Sequence, residues 1–238
     1  RRWMRPDVAP GQMLKIAVAV ASGRMGLMLV QAVLCIGDCL LAGFHVSEDR
    51  AQGSMAQKAF KALLKPGRHK LINFVGRQQG LMLAPGNPKR ITGVQDLKRA
   101  DVRFVNRQPG SGTRLEIEQL LAGAAIAPAS VNGFEHAEPT HLAVAAAVAS
   151  KLADVGFGIQ AAAAAFGLDF LPLLREQYYF VCLKEAVDQP PIRKLRELLQ
   201  RSEWQGLTAD LPGYDIDGAG DVIRLSRALP WYAFRKPK

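Results

Sequence analysis

The sequence predicts an α/β fold in two lobes, and three observations carry that prediction. Short apolar strands alternate with helices along the chain, the pattern of a sheet that is largely parallel. Two extended stretches, near 76–84 and 172–180, each read as a crossing between units. At 238 residues the chain is long enough for each lobe to bury a core. The implied boundaries are 1–80 plus 176–238 for the first lobe and 81–175 for an inserted second lobe.

The elements follow in order. Ile16–Val20 is a compact strand that runs into the turn Ser22-Gly23-Arg24-Met25-Gly26 and a helix from about Leu27. A second strand spans Leu40–Val46, and Ser54 caps a helix through Phe60 and Leu64 that Pro66-Gly67 stops. Leu71–Val75 and Gly80–Ala84 form an extended pair around the polar break at 76–79. Asp101–Asn106 is a strand, and the turn from Arg107 to Gly112 opens a helix with Ile117, Leu120 and Leu121 at core spacing. A short strand near Val131–Phe134 precedes a helix from Thr140 to about Lys151. Val155, Phe157 and Ile159 alternate with Gly156 and Gly158, a strand whose other face accepts close backbone contact. The alanine run 161–165 reads as helix, Phe170–Leu174 and Tyr178–Leu183 as strands. Pro190-Pro191 starts a helix with Ile192, Leu195, Leu198 and Leu199 inward.

Lys and Arg total 31 against 21 acids, a net charge of +10 that favours anionic partners without specifying a fold. The charge peaks at the ends, in Arg1, Arg2 and Arg5 and again from Arg224 to Lys238. Aromatic residues do not alternate with these cations as a single-strand stacking groove requires, so solvated termini explain them more simply than nucleic acid. No apolar run reaches the ~18 residues of a membrane span, and no membrane partner is expected. Cys35, Cys39 and Cys182 cannot form a complete disulfide set. With a start that reads as no signal peptide, they give a cytoplasmic expectation, with the periplasm left open.

The most informative stretch is Asn106 to Arg114, containing Gly110-Ser111-Gly112-Thr113-Arg114. Its glycines let successive N–H groups converge, its hydroxyls add donors, and the following helix presents its free N–H groups to the same point. An ordinary capped helix after a glycine turn reads the same residues equally well. Neither a P-loop nor a dinucleotide fingerprint is present. Ser22-Gly23 repeats the arrangement in the first lobe, and Thr140 caps the helix opening at His141. Tyr178 and Gln78 lie near the crossings, where they could close over a ligand, and Tyr214 reads as packing in a turn. His45, His69, His136 and His141 are scattered, without zinc spacing to the cysteines. No metal site, cofactor or catalytic group is therefore expected, and the chain reads as a non-enzyme.

Several motifs in order carry a resemblance. These are Arg77-Gln78-Gln79-Gly80-Leu81, Ala84-Pro85-Gly86-Asn87-Pro88, Arg103 to Gln108 with Gly110 to Arg114, Thr140 to Ser150, Ala153 to Ile159, and Leu211-Pro212-Gly213-Tyr214-Asp215. Together they resemble the periplasmic-binding-protein-like domain family described as molybdate-binding, often found after a helix-turn-helix in transcriptional regulators. The resemblance implies a two-lobed type II fold and a small oxyanion, molybdate or tungstate favoured, in the cleft. It implies ligand contacts from Ser22, Gly23, Ser111, Gly112, Thr113, Arg114, Thr140 and Tyr178. It also implies that the first strand-helix unit is missing here, since no Ser-His-Asp-like turn precedes Ile16. A shortened lobe with an exposed sheet edge favours a homodimer. DNA would be a partner only indirectly, through a helix-turn-helix not present in these residues. The competing function is an enzyme or cofactor-handling protein acting on a phosphorylated or molybdopterin-like ligand.

Overall fold

A computed structural model describes residues 16–18, 41–47 and 64–229. The predicted helices near Leu27 and Ser54, the turn at 22–26, and Cys35 and Cys39 lie outside the described residues. The strands are β1 (Ile16–Val18), β2 (Leu41–Ser47), β3 (His69–Leu83), β4 (Phe104–Arg107), β5 (Ala137–Glu138), β6 (Val155–Ile159), β7 (Asp169–Leu183), β8 (Tyr214–Asp215) and β9 (Val222–Ile223). The helices are α1 (Gly112–Gly123), α2 (His141–Ala149), α3 (Gln160–Ala165), α4 (Pro190–Leu199), α5 (Ser202–Ala209) and α6 (Leu225–Ala228).

The strands form one sheet in the order β1-β2-β7-β3-β6-β4-β5, with β8 and β9 also pairing with β3. It is mixed rather than largely parallel. β1/β2, β4/β5 and β4/β6 are parallel, while every pairing made by β3 and β7 is antiparallel. The departure comes from the crossings. β3 and β7, 15 residues each, run antiparallel from His69↔Leu183 to Leu83↔Asp169. The predicted break at 76–79 does not exist, and residues 175–177, between two predicted strands, belong to β7 as well. Their backbones stay in the ladder (Gly76↔Gln177, Arg77↔Glu176, Gln78↔Arg175) and their polar side chains pair locally.

The predicted strand at 131–134 is also absent. Residues 128–130 form a single 3-10 turn, and Gly133 adopts a left-handed φ of +86°. A Cβ at Gly133 would lie 2.2 Å from the Phe104 carbonyl oxygen, so this close approach needs glycine. Val131 and Phe134 are buried all the same, and the strand beside β4 is β5.

Among the described residues three cores accompany the long pair. Leu81, Phe104, Ile117, Leu121, Phe157 and Leu174 pack α1 on one sheet face. Met82, Val105, Val144, Val148 and Ala163 pack α2 and α3 on the other. Leu41, Ile72, Phe180, Cys182, Ile192 and Leu199 form a third at the far end of β3. Leu198 is 44% exposed, so the inward stripe of α4 is narrower than predicted. The open face of β6 meets side chains first: a Cβ at Gly158 would lie 2.7 Å from Met82 Cε and 3.2 Å from His141 Nδ1, and one at Gly156 2.4 Å from Val144 Cγ1, with the Val105 carbonyl oxygen farther off at 3.4 Å.

Candidate functional site

β4 and β5 are parallel neighbours, with Asn106 opposite Ala137 and Arg107 opposite Glu138. Their carboxyl ends therefore lie side by side, and each leads within a few residues into a helix. The turns between are tied together. Gln108 N donates to Glu138 O at 3.0 Å, and Arg107 Nη2 to Pro139 O at 2.9 Å. The starts of α1 and α2 thus open at one end of the sheet. β6, parallel to β4, ends there too, with Ile159 opposite Gln79 of β3.

Both helix starts have the predicted caps. Ser111 Oγ accepts from Arg114 N at 3.2 Å, and Thr140 Oγ1 from Ala143 N at 3.0 Å. Helix geometry leaves the N–H groups of Gly112 and Thr113, and of His141 and Leu142, without acceptors inside the helix. Each capping hydroxyl retains a hydrogen to donate outward. The turn before α1 needs Gly110, whose φ is +83°. Thr113 is buried, Ser111 half-buried and Thr140 exposed. Ser22 and Gly23 lie outside the described residues.

The Arg114 guanidinium turns away from the strand ends. Its Nε donates to Glu118 at 2.8 Å and its Nη1 to Phe134 O at 3.1 Å, while Nη2 meets Glu135 at 3.3 Å. The group sits 4.1 Å over the Phe134 ring. This side chain braces the loop behind α1, and the turn receives only the Arg114 backbone.

Sequence reasoning missed a polar cluster at the crossing. Arg77 Nε donates to Glu176 Oε2 at 2.7 Å, and its guanidinium lies 4.8 Å from the centre of the Tyr178 ring. The Glu176 side chain is fully buried. Burial opposes the charge on Arg77, but Glu176 and Tyr178 outweigh it and push its pKa up. Burial, then Glu176, raises that of the Tyr178 hydroxyl. Burial and then Arg77 lower that of Arg107. Arg107 Nε, both amide atoms of Gln79, and His141 Nδ1 are shut from solvent without hydrogen-bond partners. The legible signal was polar residues inside apolar strands, which read as a break when treated singly.

His141 follows from this setting. Burial, then Arg77 and Arg107, hold its imidazole down to about 3, against an ordinary 6.5. The unfolded chain takes up this proton near 6.5, the folded chain only near 3. The His141 contribution is therefore intact above pH 6.5 and declines as pH falls toward 3, at up to ~1.4 kcal/mol per pH unit. Urea unfolding of wild type and His141→Asn at pH 7, 5 and 4 should show a flatter profile in the variant. Parallel profiles would contradict the assignment.

A concavity lies elsewhere, lined by Pro66, His69, Lys70, Lys184 and Arg224. It is basic and takes in the start of the short helix α6, but neither α1 nor α2 opens into it. Among the described residues no helix is long and apolar enough to cross a membrane.

Comparison with known proteins agrees with this architecture. The chain is 36% identical over 187 residues to the uncharacterized protein YvgK of Bacillus subtilis (strain 168), covering 79% of this chain and 60% of that protein. It thus spans less than two thirds of that relative's length. It is 30% identical over 99 residues to an uncharacterized protein in the ferredoxin 2Fe-2S gene 5' region of Clostridium pasteurianum, covering 41% of this chain and 88% of that protein. The regulatory domain of NMB2055 (MetR), a LysR family regulator from N. meningitidis, superposes with a TM-score of 0.53 at 15% identity. That match covers 85% of this chain and 98% of the regulatory domain. The fold is the two-lobed type II binding-domain fold. Residues 11–200 match the PBP superfamily domain, and the chain belongs to that family.

Proposed function

We propose that this domain binds a small oxyanion, molybdate or tungstate favoured, in the cleft between its lobes. It would serve as the sensing domain of a transcriptional regulator or as a stand-alone binding protein. The proposed lobes are 1–80 with 176–238, and 81–175. The observation that carries the reading is the shared opening of α1 and α2 beside partnerless buried donors on Arg107 and Gln79. Helix starts and guanidinium groups stabilise negative charge at one point. Ser111, Gly112, Thr113, Thr140 and Tyr178 would contact the ligand, with the Arg114 backbone, and with Ser22 and Gly23 from the first lobe. The resemblance in motif order supports molybdate-like ions. Binding is favoured over acid–base catalysis by His141, whose pKa of about 3 makes it a weak proton acceptor near neutral pH.

A thermal-shift panel of molybdate, tungstate, sulfate and phosphate tests the reading. At ~100 times its dissociation constant a ligand adds ~2.7 kcal/mol of stability. Ser111→Ala with Thr113→Ala should abolish the response while the apo domain stays folded. No response of the wild type to any of the four would sink the proposal.

A further inference from the structure

The cluster at the strand ends does not balance its own charge. Arg77 of β3 is matched by Glu176 of β7 at 2.7 Å, and Arg175 is paired with Asp215 of β8. Arg107, at the end of β4, has no carboxylate partner among the described residues; its described side-chain bond is to the carbonyl of Pro139. His141, at the start of α2, is neutral near pH 7, and so is Tyr178. Among these groups Arg107 is a half-buried guanidinium whose Nε has no partner, and Glu138, opposite it in the ladder, forms no described ion pair with it. The starts of α1 and α2 each add about half a positive charge.

A second feature is an unsatisfied amide in the neighbouring part of the sheet. Gln79 is fully buried, and neither its Nε2 nor its Oε1 has a partner. Strand alternation puts it on the same sheet face as Leu81, whose core packs α1. A buried amide without partners is costly, and an oxyanion reaching it on the α1 side of the sheet would give its Nε2 an acceptor.

We propose that Arg107, backed by Arg77, reads the charge of the ligand and makes the cleft select doubly charged over singly charged oxyanions of the same shape. The inference rests on reading this cleft as an oxyanion site, and adds that a charged fork, not hydroxyls and amides alone, sets the preference. One unit of ligand charge a few ångströms from an uncompensated guanidinium is worth at least ~10-fold in affinity at a partly shielded site.

Tungstate and perrhenate separate the ideas, because both are tetrahedral and close in size but carry two charges and one. Titration calorimetry on the full chain should show tungstate bound at least ~10-fold more tightly. In Arg107→Gln the ratio should collapse toward one. Arg107→Lys, which keeps the charge and loses the fork, should retain a preference at weaker affinity. Circular dichroism establishes that each variant is folded, and if Arg107→Gln is not, the wild-type ratio and Arg107→Lys decide. Equal binding of the two anions by the wild type, or an unchanged ratio in Arg107→Gln, would overturn the charge-reading role while leaving the oxyanion site standing. Binding of neither anion, nor of molybdate, sulfate or phosphate, would remove the site itself.

Discussion

Replacing Glu176 with leucine is expected to destabilise the domain by about 3–5 kcal/mol, because it strands a charge that cannot be neutralised. Glu176 has no exposed side-chain surface, and Arg77 is only 16% exposed against it. An arginine does not lose its proton under these conditions, so Arg77 would stay charged. Like charge from Arg107 adds to the cost; burial first, and then this repulsion, depress the pKa of Arg107. The double variant Arg77→Met with Glu176→Leu should recover most of the loss, since a packed apolar pair often replaces a buried ion pair at little cost. Urea denaturation of the two single variants and the double variant measures the coupling. A loss below ~1 kcal/mol in Glu176→Leu would mean that the pair is hydrated and the crossing is looser than described.

Phe157→Ala should have an effect of similar size, for a different reason. Phe157 is fully buried in the middle of β6, among Leu81, Phe104, Ile117 and Leu174. Truncating a core aromatic costs about 3–5 kcal/mol, combining lost burial with the cavity left behind. β6 lies between β3 and β4, so the cavity would open beneath α1. Phe157→Leu keeps most of the volume and should cost far less. Thermal and denaturant unfolding of both variants checks the ranking, and equal losses would contradict it.

Much of the fold was legible because its signals are local. The caps Ser111 and Thr140, the glycine turn at Gly110 and the alternation at Val155–Ile159 each report on their own neighbourhood. What was not legible depends on partners distant in sequence. Arg77 reads as a strand breaker until Glu176, 99 residues away, is seen opposite it. Arg107 reads as part of a turn until Pro139 is placed beside it. Val131 and Phe134 suggested a strand by composition, but the approach of Gly133 to Phe104 bends the backbone there. Arg114 sits inside the motif, yet Glu118 and Glu135 draw its guanidinium away from the turn.

The central claim is that the strand ends carrying α1 and α2 hold a doubly charged oxyanion. A crystal structure of the full chain soaked with tungstate, with the metal located by its anomalous scattering, tests it most directly. The account predicts one strong peak within hydrogen-bond reach of the Gly112 and Thr113 N–H groups and the Arg107 guanidinium. A peak instead in the basic concavity beside Lys70, Lys184 and Arg224, or an empty opening at α1 with tungstate at saturating concentration, would contradict it.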